Sequence, residues 1–352
     1  MSPHPPEFHI TKPGALIAAL PAVLGFVPEK SLVLVSLEDG RMGAVLRADL
    51  SPELAANIGH LAEVAAASGA ETVVAVIVDA DGALCPMCND EHRQLCDALT
   101  DALSDHDVGL YAAHVVDRVE AGGIWHCVDD CGARGSVDDP GASPLAAAAV
   151  LDGRRLYARR SDLQAVVAVV DAGRAAALGD RIRDCDARRE QDWRADPDDR
   201  GRRDVEAALE AAERLCLGTD LDDDGIATIA CALTDVAVRD TLYALAVGAR
   251  AGQAETLWAV LSRTLPDPWR VEALVLLAFS AYARGDGPLA GLSLEAALRS
   301  DPEHRMAGML DTALQSGMRP EQIRELAATG YRLAKRLGVT LPPRRSFGRR
   351  AG

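Results

Sequence analysis

Apolar and polar positions in the first part of the chain alternate between strand-like and helix-like spacing. Ser31–Leu37 (SLVLVSL) and Met42–Asp49 are strand-like, and Asp39-Gly40 between them predicts a hairpin turn. Thr72–Val78 (TVVAVIV) is an unbroken apolar run, which is typical of a strand covered on both faces. The pattern therefore starts with a sheet that has a buried central strand.

The next segments extend this sheet. Asp90–Ser104 has helical spacing, Val108–Val116 is a further strand, and Gly122–Cys127 is expected to pair back on it. Because a helix lies between Thr72–Val78 and Val108–Val116, these two strands should run parallel. The sequence thus predicts a mixed α/β sheet domain over residues 1–178.

Helical spacing dominates the second half of the chain. Residues 179–203 are dense in Arg and Asp and predict a charged helical linker, and residues 204–340 predict an α-helical, repeat-like domain. The repeat consists of positions that recur with a shift of 36 residues: Ala254, Trp258, Leu261 and Pro266 become Ala290, Leu294, Ala297 and Pro302. Together with Leu274 and Leu277, this spacing is typical of tetratricopeptide-like helix pairs.

Charge is distributed unevenly along the chain. The net charge is −16, yet the segment from Tyr331 to Gly352 contains seven basic residues and no acidic one. Residues 341–352 predict a basic disordered tail. The acidic body should not bind nucleic acid by charge, whereas the tail is compatible with nucleic acid or an acidic partner.

The chain lacks the signatures of membrane insertion and export. It contains no run of about 20 apolar residues, so no membrane helix is expected. Leu16–Val27 is apolar but contains Pro21 and Gly25, and no cleavage site follows. We therefore expect a cytoplasmic protein, in which the eight cysteines are thiols or metal ligands and not disulfides.

Four of these cysteines form two short knuckles. Cys85 and Cys88 enclose Pro-Met, and Cys127 and Cys131 are separated by three residues. Close cysteine pairs of this kind predict a zinc site that uses all four residues, Cys85, Cys88, Cys127 and Cys131. The expected topology opposes this arrangement, because it places Cys127 at the opposite edge of the sheet, about 15 Å away.

A local zinc site is an alternative. It would use Cys85, Cys88 and His92, with His126, Cys127 or water as the fourth ligand. If no metal is bound, the same cysteines are small thiols in the core and loops.

A thioredoxin-like use of Cys85 and Cys88 is a further alternative, since a thiol at a helix start has a lowered pKa. The order of strand, loop, Cys-x-x-Cys and helix fits this chemistry, although the preceding strands do not follow that fold. Cys96 cannot share an ion with Cys88 on one helix, because eight residues separate them by about 12 Å.

Several segments resemble one bacterial family. Leu20–Val33 (LPAVLGFVPEKSLV) resembles the start of domain-of-unknown-function family 4192. Further segments that resemble the same family are spread over nearly the whole chain: Arg47–Leu50, Trp125–Cys127 with Cys131 and Gly135, Arg160–Leu163, Val238–Asp240 and Arg284–Gly287. The second knuckle departs from the family pattern of two adjacent cysteines, since Gly132 follows Cys131. The resemblance implies no activity.

Motifs for familiar catalysis are missing from the sequence. It contains no phosphate loop, no Gly-x-Gly-x-x-Gly, no Gly-x-Ser-x-Gly and no His-Glu-x-x-His. The sequence favours a non-enzymatic binding or regulatory protein that contacts another macromolecule, foremost another protein, through its helical domain, with the α/β domain as a platform. The alternative is a zinc- or thiol-dependent enzyme whose site lies at the cysteine knuckles.

Overall fold

A computed structural model describes residues 12–38, 41–151, 154–192 and 197–344. The chain forms two compact units, one reaching to Arg160 and the other starting at Ser161. Residues 161–178, which the composition assigns to the α/β domain, belong by their contacts to the second unit. The Asp39-Gly40 turn and the tail from residue 345 lie outside the described residues.

The first unit combines a sheet with helices, as the apolar pattern predicts. Its elements are α1 (Pro13–Leu24), β1 (Ser31–Glu38), β2 (Arg41–Asp49), α2 (Leu54–Ala67), β3 (Thr72–Val78), α3 (Pro86–Ser104), β4 (Gly109–Val116), β5 (Ile124–Cys127), β6 (Arg134–Ser136) and α4 (Pro144–Leu151).

Six strands form one mixed sheet in the order β2-β1-β3-β4-β5-β6. β3 and β4 are parallel, and every other neighbouring pair is antiparallel. The predicted parallel pair is therefore confirmed, with α3 as its crossover. β3 lies between β1 and β4, and its residues after Thr72 are all buried.

The two faces of the sheet are covered by different helices. Val73, Ala75 and Ile77 of β3 belong to a core cluster that also contains buried residues of α2 and α3. Trp125 pairs with Val116 and therefore faces the other side, where Gly14 of α1 packs beside its indole. This double cover accounts for the continuous apolar sequence of β3.

The second unit is mostly helical in its described residues. Its elements are α5 (Arg160–Gln164), α6 (Ala172–Asp192), α7 (Pro197–Cys216), α8 (Asp223–Leu233), α9 (Val236–Leu242), α10 (Ala251–Thr264), α11 (Arg270–Ala283), α12 (Gly287–Ser300), α13 (Arg305–Gln315) and α14 (Pro320–Arg336). A short 3-10 helix, Tyr243–Val247, follows α9.

Residues 179–203, predicted as a charged linker, lie within α6 and α7 where the structure describes them. α6 packs against α8, and its Leu178 and Ile182 side chains are buried. Arg189 of α6 forms an ion pair of 2.5 Å with Asp204 of α7. This segment is therefore part of the helical unit, because one apolar stripe on α6 gives the charged helix a buried face.

The start of the predicted basic tail is ordered. Leu341 is buried, the Tyr331 hydroxyl donates to the carbonyl of Pro342, and Arg344 forms an antiparallel bridge with Gly248. Among the described residues, no helix has the length and apolar character needed to cross a membrane.

Close packing at Gly330 of α14 gives a stability prediction. A Cβ atom there would lie 2.7 Å from the carbonyl oxygen of Thr241 and 2.8 Å from the Ala244 Cβ. Because backbone cannot move aside easily, Gly330→Ala should lower the free energy of unfolding by about 1–3 kcal/mol. The change is measured by urea unfolding.

Gly308→Ala is the matched control. Gly308 lies on α13, and a Cβ there meets no atom within 4 Å. The added helix propensity should stabilise this variant by about 1 kcal/mol. Equal stabilisation by both substitutions would contradict the close contact between α14 and the Thr241–Ala244 segment.

Candidate functional site

The candidate site lies where β3 ends and α3 begins. The amide of Asp79, directly after β3, donates to the Val116 carbonyl at 3.0 Å and so fixes the loop at the carboxyl edge of the parallel strands. Two turns follow. The backbone amide of Ala83 donates to the Asp79 carbonyl, and the amide of Cys85 donates to the Gly82 carbonyl, each at 3.0 Å. Pro86 then begins α3, which leaves Cys85 at the N-cap.

Cys85 and Cys88 form a pair of thiols with opposite properties. The backbone amide of Cys88 donates to the Cys85 sulfur, and this contact, with the Cys88 thiol, lowers the pKa of Cys85. The hydrogen bond to Cys85, together with burial, raises the pKa of Cys88. Both residues are partly exposed, and the positive end of α3 also favours a thiolate at Cys85. The pair therefore combines a thiol whose pKa is lowered with a thiol whose pKa is raised.

A buried carboxylate lies beside Cys88. A Cβ atom on Gly82 would be 2.1 Å from Asp79 Oδ2 and 3.1 Å from the Cys88 Cβ, so both groups pack against this glycine. The Asp79 side chain is only 13% exposed, and its Oδ1 atom has no hydrogen-bond partner. Its Oδ2 atom lies 3.3 Å from Nε2 of His92, which is also buried. An unpaired buried oxygen of this kind is able to accept a proton.

Asn89 connects the two cysteine knuckles. Its Oδ1 atom lies 3.4 Å from His92 Nδ1 and 3.3 Å from His126 Nε2, and its amide nitrogen donates to the Ala83 carbonyl. Burial, and then the neighbouring His92, lowers the pKa of His126. Asn89 follows Cys88 and His126 precedes Cys127 in the chain, so the knuckles are joined by side chains of adjacent residues.

The expectation that Cys127 lies at the opposite edge of the sheet is wrong. β5 is four residues long, and Cys127 pairs with His114 of β4. Because β5 pairs only with the last three residues of β4, it does not reach the other end of that strand. The contact between Asn89 and His126 therefore forms near the carboxyl end of β4, on the side where α3 begins.

Cys127 and Cys131 form a second thiol pair in the turn between β5 and β6. Their side chains are hydrogen-bonded, and burial raises the pKa of Cys127. Asp130 and Gly132 have φ angles of 53° and 86°, so the chain reverses sharply beside this pair. Unlike Cys85, neither thiol stands at a helix start.

The described residues contain no group of three or more His, Cys, Asp or Glu side chains that could hold a metal ion. Cys85 and Cys88 form one pair, and Cys127 and Cys131 form another. His92 and His126 of the local alternative both lie against Asn89. Zinc binding by Cys85, Cys88, Cys127 and Cys131 stays a prediction.

Sequence reasoning missed Asp79 and Asn89. Asp79 directly follows the apolar run of β3, so its position at a strand end was visible in the sequence. Asn89 gave no signal, because its contact with His126 depends on how β5 pairs with β4. Cys96 lies further along α3, and burial raises its pKa to about 12.

A cavity of about 510 Å³ lies at the same edge of the sheet. Val27, Val78 and Val119 line it, and Lys30 and Asp81 form an ion pair of 3.3 Å beside them. Lys30 has a φ of 43°, which is uncommon for a residue with a side chain. The loop after β3 thus borders this cavity before it reaches Cys85.

Family-like segments meet next to that cavity. Arg47 Nε donates a hydrogen bond to Ser31 Oγ at 2.9 Å. The Asp49 carboxylate forms ion pairs with Arg47 at 2.5 Å and with Arg160 at 3.1 Å. The Arg47 guanidinium also lies 6.0 Å from the centre of the Phe26 ring. Three segments that are distant in sequence are therefore held together by one arginine–aspartate network.

The contrast between the two thiols predicts their chemical reactivity. Iodoacetamide should modify Cys85 at a lower pH than Cys88, because only the thiolate reacts and Cys85 holds its thiolate at lower pH. Buried Cys96 should stay unmodified in the folded protein. Alkylation across a pH series, read for each peptide by mass spectrometry, measures this order.

Unfolding in guanidinium chloride is the control, since all thiols should then titrate near the ordinary pKa of about 8.5. Identical pH profiles for Cys85 and Cys88 in the folded protein would show that the two thiols do not differ.

The comparisons with known proteins place the chain in a family. No curated protein matches it, and neither does any solved structure. A family model described as "Domain of unknown function (DUF4192)" matches residues 13–321, which is most of the chain. The protein belongs to this family.

Proposed function

We propose that the α/β unit carries out thiol–disulfide exchange with Cys85 and Cys88. The observation that supports this most is the geometry of the pair, because Cys85 occupies the N-cap of α3 and the backbone amide and thiol of Cys88 donate hydrogen bonds to its sulfur. Exchange needs a thiolate that attacks and a second thiol that reacts afterwards. This is the thiol form of the enzymatic alternative derived from the sequence.

The reaction begins at Cys85. Its thiolate attacks one sulfur of a substrate disulfide, a bond forms between that sulfur and Cys85, and the other sulfur leaves as a thiolate that takes a proton from water. Cys88 then attacks the Cys85 sulfur of the mixed disulfide. The Cys85–Cys88 disulfide forms and the second substrate thiolate is released, so the substrate is reduced and the pair is oxidised.

Cys88 must lose its proton for the second attack. The Asp79 carboxylate packs through Oδ2 against the same glycine as Cys88, and its Oδ1 atom accepts no hydrogen bond, so Oδ1 would take the proton once the Cys88 thiol reaches it. His92 holds the other oxygen at 3.3 Å, which orients the carboxylate. Asp79 is therefore the proposed proton acceptor, and His92 is a positioning residue. A dithiol reductant returns the pair to its reduced form.

The test is the reduction of bis(2-hydroxyethyl) disulfide by dithiothreitol in the presence of the protein. Cys85→Ser should lower the catalysed rate at least about tenfold, because the attacking thiolate is lost. In the same assay without dithiothreitol, Cys88→Ser should trap a mixed disulfide on Cys85, seen as a mass increase of the peptide that contains Cys85. Cys216→Ser is the matched control, since Cys216 is an exposed thiol of the helical unit.

Two results would contradict the proposal. One is a wild-type rate no higher than that of Cys85→Ser. The other is about one zinc ion per purified chain that is lost in both Cys85→Ser and Cys127→Ser, which would assign the four cysteines to a metal centre.

Binding of another protein by the helical unit is a second proposed function. α10 and α12 have equal lengths and begin 36 residues apart, and Pro266 and Pro302 follow their ends. These features support a tetratricopeptide-like pair of repeats, a class that mostly binds proteins. Met309, Met318 and Leu326, on α13, α14 and the turn between them, are exposed and would supply apolar contact.

The double variant Met309→Ser/Leu326→Ser tests this second function. It should lose a specific partner that the wild-type protein retains in affinity capture, because apolar contact area is removed. Val236→Ser, which changes an exposed apolar residue on α9, should keep the partner. A partner retained by all three proteins, or by none of them, would contradict binding through α13 and α14.

A further inference from the structure

We propose that the substrate of the Cys85–Cys88 pair is a cysteine within an extended polypeptide segment that carries a basic residue nearby. This inference rests on the proposed thiol–disulfide exchange, because it names the substrate class of the same site. Three features of the segment from Asp79 to His92 support it: exposed apolar side chains, their positions before and after Cys85 in the chain, and an excess of carboxylates.

Two large apolar side chains lie at the reactive thiol. Leu84 is 80% exposed and Met87 is 72% exposed, and they precede and follow Cys85 in the chain. Single exposed apolar residues are ordinary, whereas two beside one reactive sulfur provide apolar contact area for another molecule. Methionine adapts its shape to varied partners, which suits a site that accepts more than one sequence.

Their placement favours a chain over a small molecule. Leu84 and Met87 are three positions apart, on the two sides of Cys85. A small substituent on a disulfide covers the reacting sulfur and does not extend to both side chains. An extended polypeptide advances about 3.3 Å per residue, so the residues that flank its cysteine supply side chains for contact with both Leu84 and Met87 in the proposed complex.

Charge selects among polypeptides. From Asp79 to His92 the chain contains four carboxylates and no Lys or Arg. Asp81 is paired with Lys30, and Asp90 is paired with Arg93. In the part of the chain that the structure describes, Glu91 is exposed with no paired cation, and its charge acts on Cys85. A basic residue near the substrate cysteine would meet Glu91, whereas an acidic one would be repelled.

The experiment compares two substrates with the same leaving group. One is a peptide whose single cysteine, flanked by leucines and followed by a lysine, is held in a mixed disulfide with thionitrobenzoate. The other is mercaptoethanol in the same mixed disulfide. Attack of Cys85 on the peptide or mercaptoethanol sulfur releases thionitrobenzoate. In Cys88→Ser the adduct accumulates on Cys85. Mass spectrometry of the protein fragment that contains Cys85 gives the rate at which the adduct forms.

The peptide should react faster than the mercaptoethanol compound. Leu84→Ser/Met87→Ser, made in the Cys88→Ser background, should lower the ratio of the two rates about tenfold, because apolar contact is lost. Leu217→Ser is the matched control and should leave the ratio unchanged, since Leu217 is 78% exposed in the helical unit. Replacing the peptide's lysine by glutamate should slow the reaction, and added salt should shrink this difference.

The outcomes separate this inference from the exchange reaction itself. If the mercaptoethanol compound reacts at Cys85 but the ratio does not change in Leu84→Ser/Met87→Ser, the polypeptide inference is overturned and the exchange reaction stands. If neither compound forms an adduct on Cys85 faster than on unfolded protein, the exchange reaction fails, and the substrate inference fails with it.

Discussion

The parallel pairing of β3 with β4 determines where Cys85, Cys88 and Asp79 lie in the first unit. Parallel neighbours need a crossover, and here α3 provides it, so the start of α3 must lie at the carboxyl edge of β3. The loop that joins them contains only residues 79–85. Cys85 is consequently placed at a helix N-cap, and Asp79 at a strand end, by the same topological requirement.

The two thiols differ because they occupy different positions on one helix turn. Cys85 receives hydrogen bonds from the amide and thiol of Cys88, which favour its charged form. Cys88 donates its proton into that contact and lies beside a carboxylate, which favours its neutral form. The hydrogen bonds between the two residues supply most of this contrast.

Local patterns predicted the elements well, and long-range pairing set the limit. The apolar run of β3 and the helical spacing after it were sufficient to predict the parallel pair. The length of β5 was not predictable, since four residues of a strand carry little periodic signal. The contact between Asn89 and His126 depended on that length. The charged segment after Gly179 lies within α6 and α7 where it is described, and its packing was hard to predict because its few buried residues are spaced along a highly polar helix.

The spacing of Cys85 and Cys88 has a thermodynamic consequence. A disulfide stabilises a protein mainly by restricting the unfolded chain, and this effect grows with the length of the loop that it closes. A bond between residues three positions apart closes one of the shortest loops available. Oxidation at this site would therefore stabilise the fold by only about 2 kcal/mol, less than a disulfide that closes a long loop, so the protein could alternate between the two states while both stay folded.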